Sequence, residues 1–417
     1  MRPFRQKASF WRGGTSNGVM IAGDDLPEWR TIKERYPDLR QLDLKDCAGI
    51  LQPLYRAIMG SPDPYGRQLN GMGGGLSSLS KAVIVDRSTD KDCDLDYLFI
   101  QVGIRDGTLD LAGNCGNMSS AVAPFAIDRA LLDVKEKLKR SRTDQQLTPG
   151  SGAERQYSTY PLTVRLRNLN TSRMIDADVR ASSIQTSADE DRYFYDSRGD
   201  YVLEGVSGYA APITLSFLSP GGAKTGRAVP TGNVVDTLEY ARGQTVRASL
   251  LDISNPGVFI DGRDLGLSQP SAPEQLNADQ ELMSKLELIR RAGAEKMGLD
   301  PETQSVPKVV MLFPSSSQDV NIRCQALSMQ QAHRAVPMTL GLNLGVACKL
   351  HGTIAHELAS GNAKDTVVIQ HPTGKVEVGA DIRHNGEVAS AKVVRTARCL
   401  MEGWVNIIAS DKTDPVA

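Results

Sequence analysis

Two stretches of this chain, SSAVAPFAI (119–127) and MTLGLNLGVAC (338–348), are apolar on every face at helical spacing. A helix without a polar face cannot lie on a surface and must be enclosed by other elements. Continuous apolar runs suited to strands covered on both faces, KAVIVD (81–86), LFIQVGI (98–104) and PKVVMLF (307–313), stand ready to enclose them. Each half thus holds an apolar strand, a small-residue turn and an Ala- and Gly-rich helix. That two-fold rhyme predicts an α+β protein of two similar domains facing each other across a cleft.

The remaining pattern fits this frame. SFWRGGTSNGVMIAG (8–22) reads as two strands joined by a tight turn, and 27–59 as one or two amphipathic helices. Asn114 and Asn117 are good capping types for the helix that follows, and Pro124 is expected to kink or shorten it. The polar segment 133–158 reads as a surface insertion. Strands are expected at 160–167, 174–182, 211–217, 246–253, 366–370, 375–379 and 390–395, and a single amphipathic helix at 276–298.

Charge excludes several functions. Lys and Arg total 48 against 49 Asp and Glu, a net charge of -1, so there is no general field for nucleic acid or a membrane surface. Aromatic residues are only 5%, too few for a stacking platform. No apolar run approaches the roughly 18 residues of a membrane span. The start MRPFRQKASFWRGG lacks the apolar core of a secretory signal. Cysteines at 47, 93, 115, 324, 348 and 399 form no CxxC pair and read as reduced thiols of a cytoplasmic protein.

Several motifs fail. GMGGGLSS (71–78) lacks the third glycine and the preceding strand of a dinucleotide fingerprint. GGAKTG (221–226) has Ala223 where a phosphate loop needs glycine before its lysine. There is no HExxH and no G-x-S-x-G, and the His351–His356 pair is a weak basis for a metal. Neither a metal nor a cofactor is expected.

AGNCGNMSSA survives. Cys115 stands just before a buried helix, where unpaired backbone N–H groups bind anions and the helix dipole favours a thiolate. Gly113 and Gly116 permit close approach of a ligand. The plain alternative is a small buried cysteine. Lys81 is the second candidate, because a lysine leading into an apolar strand is unusual unless its head reaches water or does chemistry. A desolvated lysine has a lowered pKa and can act as a base.

With WRGGTSNG, GGLSSLSKAVIV, GNCGNMSSAVAPFAI, SNPGVFID, QQAHRAVPMT and HPTGKVEV in this order, the chain resembles the PrpF family over about residues 8–405. That family includes 2-methylaconitate, aconitate and methylitaconate isomerases and 4-oxalomesaconate tautomerase. The resemblance implies two diaminopimelate-epimerase-like domains, residues 1–205 and 206–417 with some C-terminal strand exchange. Each is a β-barrel-like sheet around a central helix, with the active site between them. It makes Lys81 the general base and puts Cys115 across the site. It assigns substrate binding to Thr15, Ser16, Asn17, Ser77, Ser78, Asn114, Gly116, Asn117 and Met118. In the second half it points to Ser315 to Ser317, Ser316 among them, and to His333, Arg334, Thr339 and His371. The family usually carries lysine where this chain has Asn17, so a charge near the cleft is missing.

The expected reaction is a cofactor-independent allylic proton shift on an unsaturated tricarboxylate, cis-aconitate to trans-aconitate. Alternatives on the same fold are 2-methylaconitate or methylitaconate isomerisation and 4-oxalomesaconate tautomerisation. A racemase would need a second cysteine, which PMTLG does not offer, and a non-catalytic carboxylate-binding protein is the alternative of another class. The expected partner is a small di- or tricarboxylate, with a homodimer left open.

Overall fold

The computed structural model describes residues 4–141, 157–185, 191–360, 366–383 and 386–407. The first half opens with β1 (Phe4–Gly13), β2 (Ser16–Ala22), α1 (Pro27–Arg35) and α2 (Leu44–Met59). Then come β3 (Lys81–Arg87), β4 (Leu95–Val102), β5 (Leu109–Asp110) and α3 (Gly116–Asp128). It continues through α4 (Val134–Ser141), β6 (Tyr157–Asn168), β7 (Arg173–Gln185), β8 (Asp191–Tyr195) and β9 (Ile213–Leu218). The second half opens with β10 (Asp236–Ala241), β11 (Gln244–Ile253), β12 (Asn255–Asp261), α5 (Pro273–Ala278) and α6 (Gln280–Lys296). Next are β13 (Lys308–Pro314), β14 (Ile322–Ser328), β15 (Gln331–Ala332) and α7 (Met338–Lys349). It closes with α8 (Ile354–Leu358), β16 (Thr366–His371), β17 (Gly374–Ile382), β18 (Val388–Arg395) and β19 (Ala397–Ile407).

Strand pairing repeats itself. In the first half β1 and β2 are antiparallel, β2 and β3 parallel, β3 and β4 antiparallel, β4 and β6 parallel, β6 and β7 antiparallel. The series β11, β12, β13, β14, β16 and β17 repeats the same five relations in the same order. The two parallel steps from β2 to β3 and from β12 to β13 are crossovers through a helix pair, α1–α2 and α5–α6. The protein is therefore α+β, with two pseudo-symmetric sheets each curved around one helix, α3 or α7. Two strands tie the halves together: β9 pairs with both β7 and β18, and β19 returns to pair with β1.

Alternation along the strands decides what each face touches. On the inner face, Met20, Val83 and Val85 pack with α3 residues such as Val122 and Phe125, and Val310 and Leu312 with α7 residues such as Leu340 and Leu344. The outer face of β2–β4 packs Val19, Ile21, Ala82 and Ile84 under α1 and α2. The outer face of β11–β13 packs Leu250, Val258, Val309 and Met311 under α5 and α6. Coverage on both sides is why these strands read as unbroken apolar runs.

Three expectations change. Residues 276–298 are two helices, because the Asp279 side chain caps α6 by accepting a hydrogen bond from Leu282 N at 3.0 Å. Pro124 does not end α3, which runs on to Asp128. Segment 133–158 begins as α4, and residues 142–156 of it lie outside the described residues. No described helix is long and apolar enough to cross a membrane.

Phe125 is 1% exposed and meets Trp11 edge-on at 6.3 Å between ring centroids, at the heart of the first half. Phe125→Ala is expected to cost about 3–5 kcal/mol, read as a shift of the denaturant midpoint. A loss under about 1 kcal/mol would show that α3 does not organise that core.

Candidate active site

The starts of α3 and α7 meet. A Cβ built on Gly116, the first residue of α3, would lie 1.4 Å from Met338 Cε on the first turn of α7. Neither helix start is capped by a side chain: the residue before α3 is Cys115 and the residue before α7 is Pro337. The first backbone bonds are Ser119 N to Cys115 O at 3.0 Å and Gly341 N to Pro337 O at 2.8 Å. The preceding amides of both helices, Gly116 to Met118 and Met338 to Leu340, have no acceptor within their own helix. Two partial positive charges therefore converge on one place, and a cavity of about 340 Å³ opens there.

Sheet alternation aims Lys81 into this cavity. It is the first residue of β3 on the inner face, the face of Val83 and Val85, and is 7% exposed. Its Nζ donates to Gln101 Oε1 at 2.5 Å and lies 5.2 Å from the centre of the Phe99 ring. The Gln101 amide nitrogen is held by Ser77 O at 3.2 Å and Ser80 O at 2.9 Å, which turns the Gln101 oxygen toward the lysine. Burial lowers the Lys81 pKa, against the opposing pull of Cys115 and Asp110.

The double glycine of RGGTS has a steric reason. A Cβ on Gly13 would sit 2.5 Å from Asn117 O, and one on Gly14, at φ +53, would sit 2.3 Å from Asn117 Oδ1. The turn presses against the α3 start, where Asn117 Nδ2 donates to Thr15 Oγ1 at 3.1 Å. Asn117 Oδ1 accepts from Arg395 Nε at 3.1 Å, which brings an arginine from the end of β18 onto the helix tip of the first half.

The cavity brings together Thr15, Ser16, Ser77, Ser78, Lys81, Asn114, Cys115, Gly116, Asn117, His333, Arg334, Thr339 and His371. Asn17, Met118 and Ser315 to Ser317 were expected here and lie elsewhere. Asn17 follows Ser16 on a strand, so it points to the opposite face. Met118 is fully buried, with its Cε 2.9 Å from where a Cβ on Gly18 would be. Ser316 is exposed in the loop after β13.

Sequence reasoning missed Gln101, Asp110, Lys308 and Arg395, all on the cavity wall. Lys308 carried a readable signal, since PKVVMLF repeats the lysine-then-apolar pattern of SKAVIVD. Burial, together with repulsion from Lys81, pushes the Lys308 pKa down to about 8, while Asp110 pulls it back up. Arg395 is lowered to about 10 by burial and stays charged at neutral pH. His333 and His371 are both lowered to about 4, chiefly by burial, and are neutral there. Among the described residues, no three His, Cys, Asp or Glu side chains come together as a metal site. The site can hold anions on arginine, lysine and helix amides while offering amines for proton transfer.

Residues 4–408 match the family described as PrpF protein. The chain belongs to the PrpF family. It is 33% identical over 423 residues to the 2-methyl-aconitate isomerase of Shewanella oneidensis, covering 96% of each chain. The crystal structure of methylitaconate-delta-isomerase covers 100% of both chains at 28% identity, with a TM-score of 0.69. A hydroxyproline epimerase from Agrobacterium vitis, at 11% identity and a TM-score of 0.51, shares the fold over 96% of this chain. This PrpF protein is an isomerase, on the epimerase-like fold that the family resemblance implied.

His333 faces Lys81, Lys308 and His371, and its pKa falls from 6.5 to about 4 on folding. Between those values the unfolded chain binds the extra proton. Its contribution to stability is therefore complete above about pH 6.5 and is lost as pH falls through about 4. His333→Gln is expected to remove up to about 3 kcal/mol of that pH dependence, measured as the difference between the two proteins' unfolding free energies from pH 7 to pH 4. Parallel curves would contradict a neutral, partly buried histidine.

Proposed function

We propose that this PrpF protein catalyses an allylic proton shift on an unsaturated tricarboxylate, with the conversion of cis-aconitate to trans-aconitate as the specific reaction. The observation that carries the reading is the desolvated amine of Lys81 in one cavity with two helix starts and Arg395. The CH2 protons of cis-aconitate are flanked by one carboxylate and conjugated through the C=C to another. Removing one spreads charge over carboxylate oxygens as a dienolate. Helix amides and Arg395 oppose that charge without a metal. Lys81, its pKa lowered by burial, takes the proton, and reprotonation at the far allylic carbon moves the double bond.

In this reading Thr15, Ser16, Ser77, Ser78, Asn114, Gly116, Asn117 and Thr339 hold the carboxylates. Cys115 either donates a proton or shapes the helix tip. The two domains divide near residues 205 and 206. The naming of a 33% identical relative as a 2-methyl-aconitate isomerase favours a second reading, in which the substrate carries one more methyl group.

Lys81→Ala is expected to lower turnover by about 10² to 10⁴ while the far-UV spectrum and melting temperature stay close to wild type. Near-normal activity in a folded Lys81→Ala protein would remove the lysine from its role. A panel of cis-aconitate, 2-methylaconitate, methylitaconate and 4-oxalomesaconate, followed by absorbance, chooses among the substrates. Tight binding of cis-aconitate with no conversion and no solvent exchange would make the protein a carboxylate binder instead.

A further inference from the structure

The two halves repeat each other residue by residue around the cavity. Lys81 is the first residue of β3 and pairs in parallel register with Gly18 of β2. Lys308 is the first residue of β13 and pairs in parallel register with Gly257 of β12. Each of these glycines leaves room for the third residue of the central helix. A Cβ on Gly18 would lie 2.9 Å from Met118 Cε, and one on Gly257 would lie 3.0 Å from Leu340 Cδ1. The same correspondence sets Cys115 against Pro337, the residues that precede α3 and α7. The symmetric pair of chemically active groups in this cavity is therefore lysine with lysine, and the thiol has no counterpart.

Lys308 stands on the inner face of its sheet with Val310 and Leu312, as Lys81 stands with Val83 and Val85. Both lysines line the one cavity, and His333 lies within the electrostatic reach of both. The Lys308 Nζ donates to Ser305 O at 2.8 Å and has no carboxylate salt bridge among the described residues. An allylic shift needs two proton events at different carbons, one removal and one delivery, and two amines in one cavity, one from each half of the chain, suffice for one event each.

Resting on the proton-shift reading above, we propose that Lys308 is the second proton-transfer group, which delivers a proton to the far allylic carbon after Lys81 has removed one from the near carbon. In the first step a substrate C–H bond breaks, the proton forms an N–H bond on neutral Lys81, and the electron pair enters the dienolate. In the second step an N–H bond of the Lys308 ammonium breaks, and the dienolate electron pair forms the new C–H bond. One proton has then passed from Lys308 to Lys81 by way of the substrate, and exchange with solvent restores the pair. Mutual repulsion of the two amines favours the state with one neutral and one charged. In the reverse direction the two lysines exchange duties. Cys115 shapes the helix tip.

The test is deuterium wash-in, run in D2O with cis-aconitate and with trans-aconitate separately, using 2-methylaconitate isomers if wild type leaves aconitate unchanged. Lys308→Ala is expected to keep exchange into recovered cis-aconitate within about tenfold of wild type while product formation falls by about 10² or more. From trans-aconitate the same variant is expected to lose exchange, and Lys81→Ala to show the opposite pattern. Lys308→Arg keeps the charge without a readily lost proton and is expected to behave as Lys308→Ala; it also serves if the alanine variant does not fold. In Cys115→Ser, exchange into recovered substrate and product formation are expected to change in the same proportion, without the split seen in Lys308→Ala. Product formation restored by arginine, equal loss of exchange from both isomers, or the Lys308→Ala pattern appearing in Cys115→Ser would each overturn the assignment while leaving the isomerase reading intact. If wild type converts neither substrate pair, that reading fails and the assignment with it.

Discussion

Two helices with no polar side have to be buried from every direction, and that requirement sets the rest of the molecule. Ser119, Ser120, Ala121 and Ala123 in α3, and Gly341 and Gly345 in α7, keep both helices thin enough for strands to pack around them. A Cβ on Gly345 would approach Val378 Cγ1 to 2.6 Å, so the sheet closes directly on the helix backbone. At the two helix starts the enclosure leaves a cavity instead of packed side chains. Because the two starts are in contact, their free amides share one opening, and the cavity lies where burial cannot be completed.

The chemistry of that opening follows from alternation and desolvation. A strand whose second and fourth residues after the lysine are in the core must aim the lysine inward too, toward the helix start. The amine then loses water, and its neutral form becomes accessible. Cations that cannot easily lose their proton do the complementary work. Arg395 remains charged in the same wall, and the neutral histidines add no charge that would compete with a bound carboxylate for it. A cavity with amide dipoles, a fixed guanidinium and two adjustable amines suits an anion whose negative charge grows during reaction.

Much of this was legible in the sequence, for physical reasons. The hairpin at 8–22, the enclosed helices and Lys81 rest on periodicity and on the conflict between a lysine and an apolar run, and both signals are local. Arg395 and β19 were illegible. Arg395 is placed by the pairing of β18 with β9, and β19 by its pairing with β1, nearly four hundred residues away in sequence; no local pattern encodes either return. Gln101 sat inside LFIQVGI as a polar interruption, and its purpose emerges only when β4 is set beside β3. Asn17 and Met118 lie off the cavity wall although their motif neighbours line it, because neighbours in a motif are not always neighbours in space. A strand sends alternate residues to opposite faces, and a helix turns its third residue into the core.

The internal repetition separates what the scaffold demands from what the reaction demands. Glycine in β2 and β12 and a small-residue helix behind them recur in both halves because each sheet must close over its helix in the same way, whereas the lysine that opens β3 and β13 is not needed for that closure. The residues before the helices differ, cysteine in one half and proline in the other, although the backbone does the same job in both. A thiol that packing required would have met the same requirement at Pro337. Cys115 is therefore free of that requirement, and what the two halves retain in common is the pair of desolvated amines that line the cavity at the helix starts.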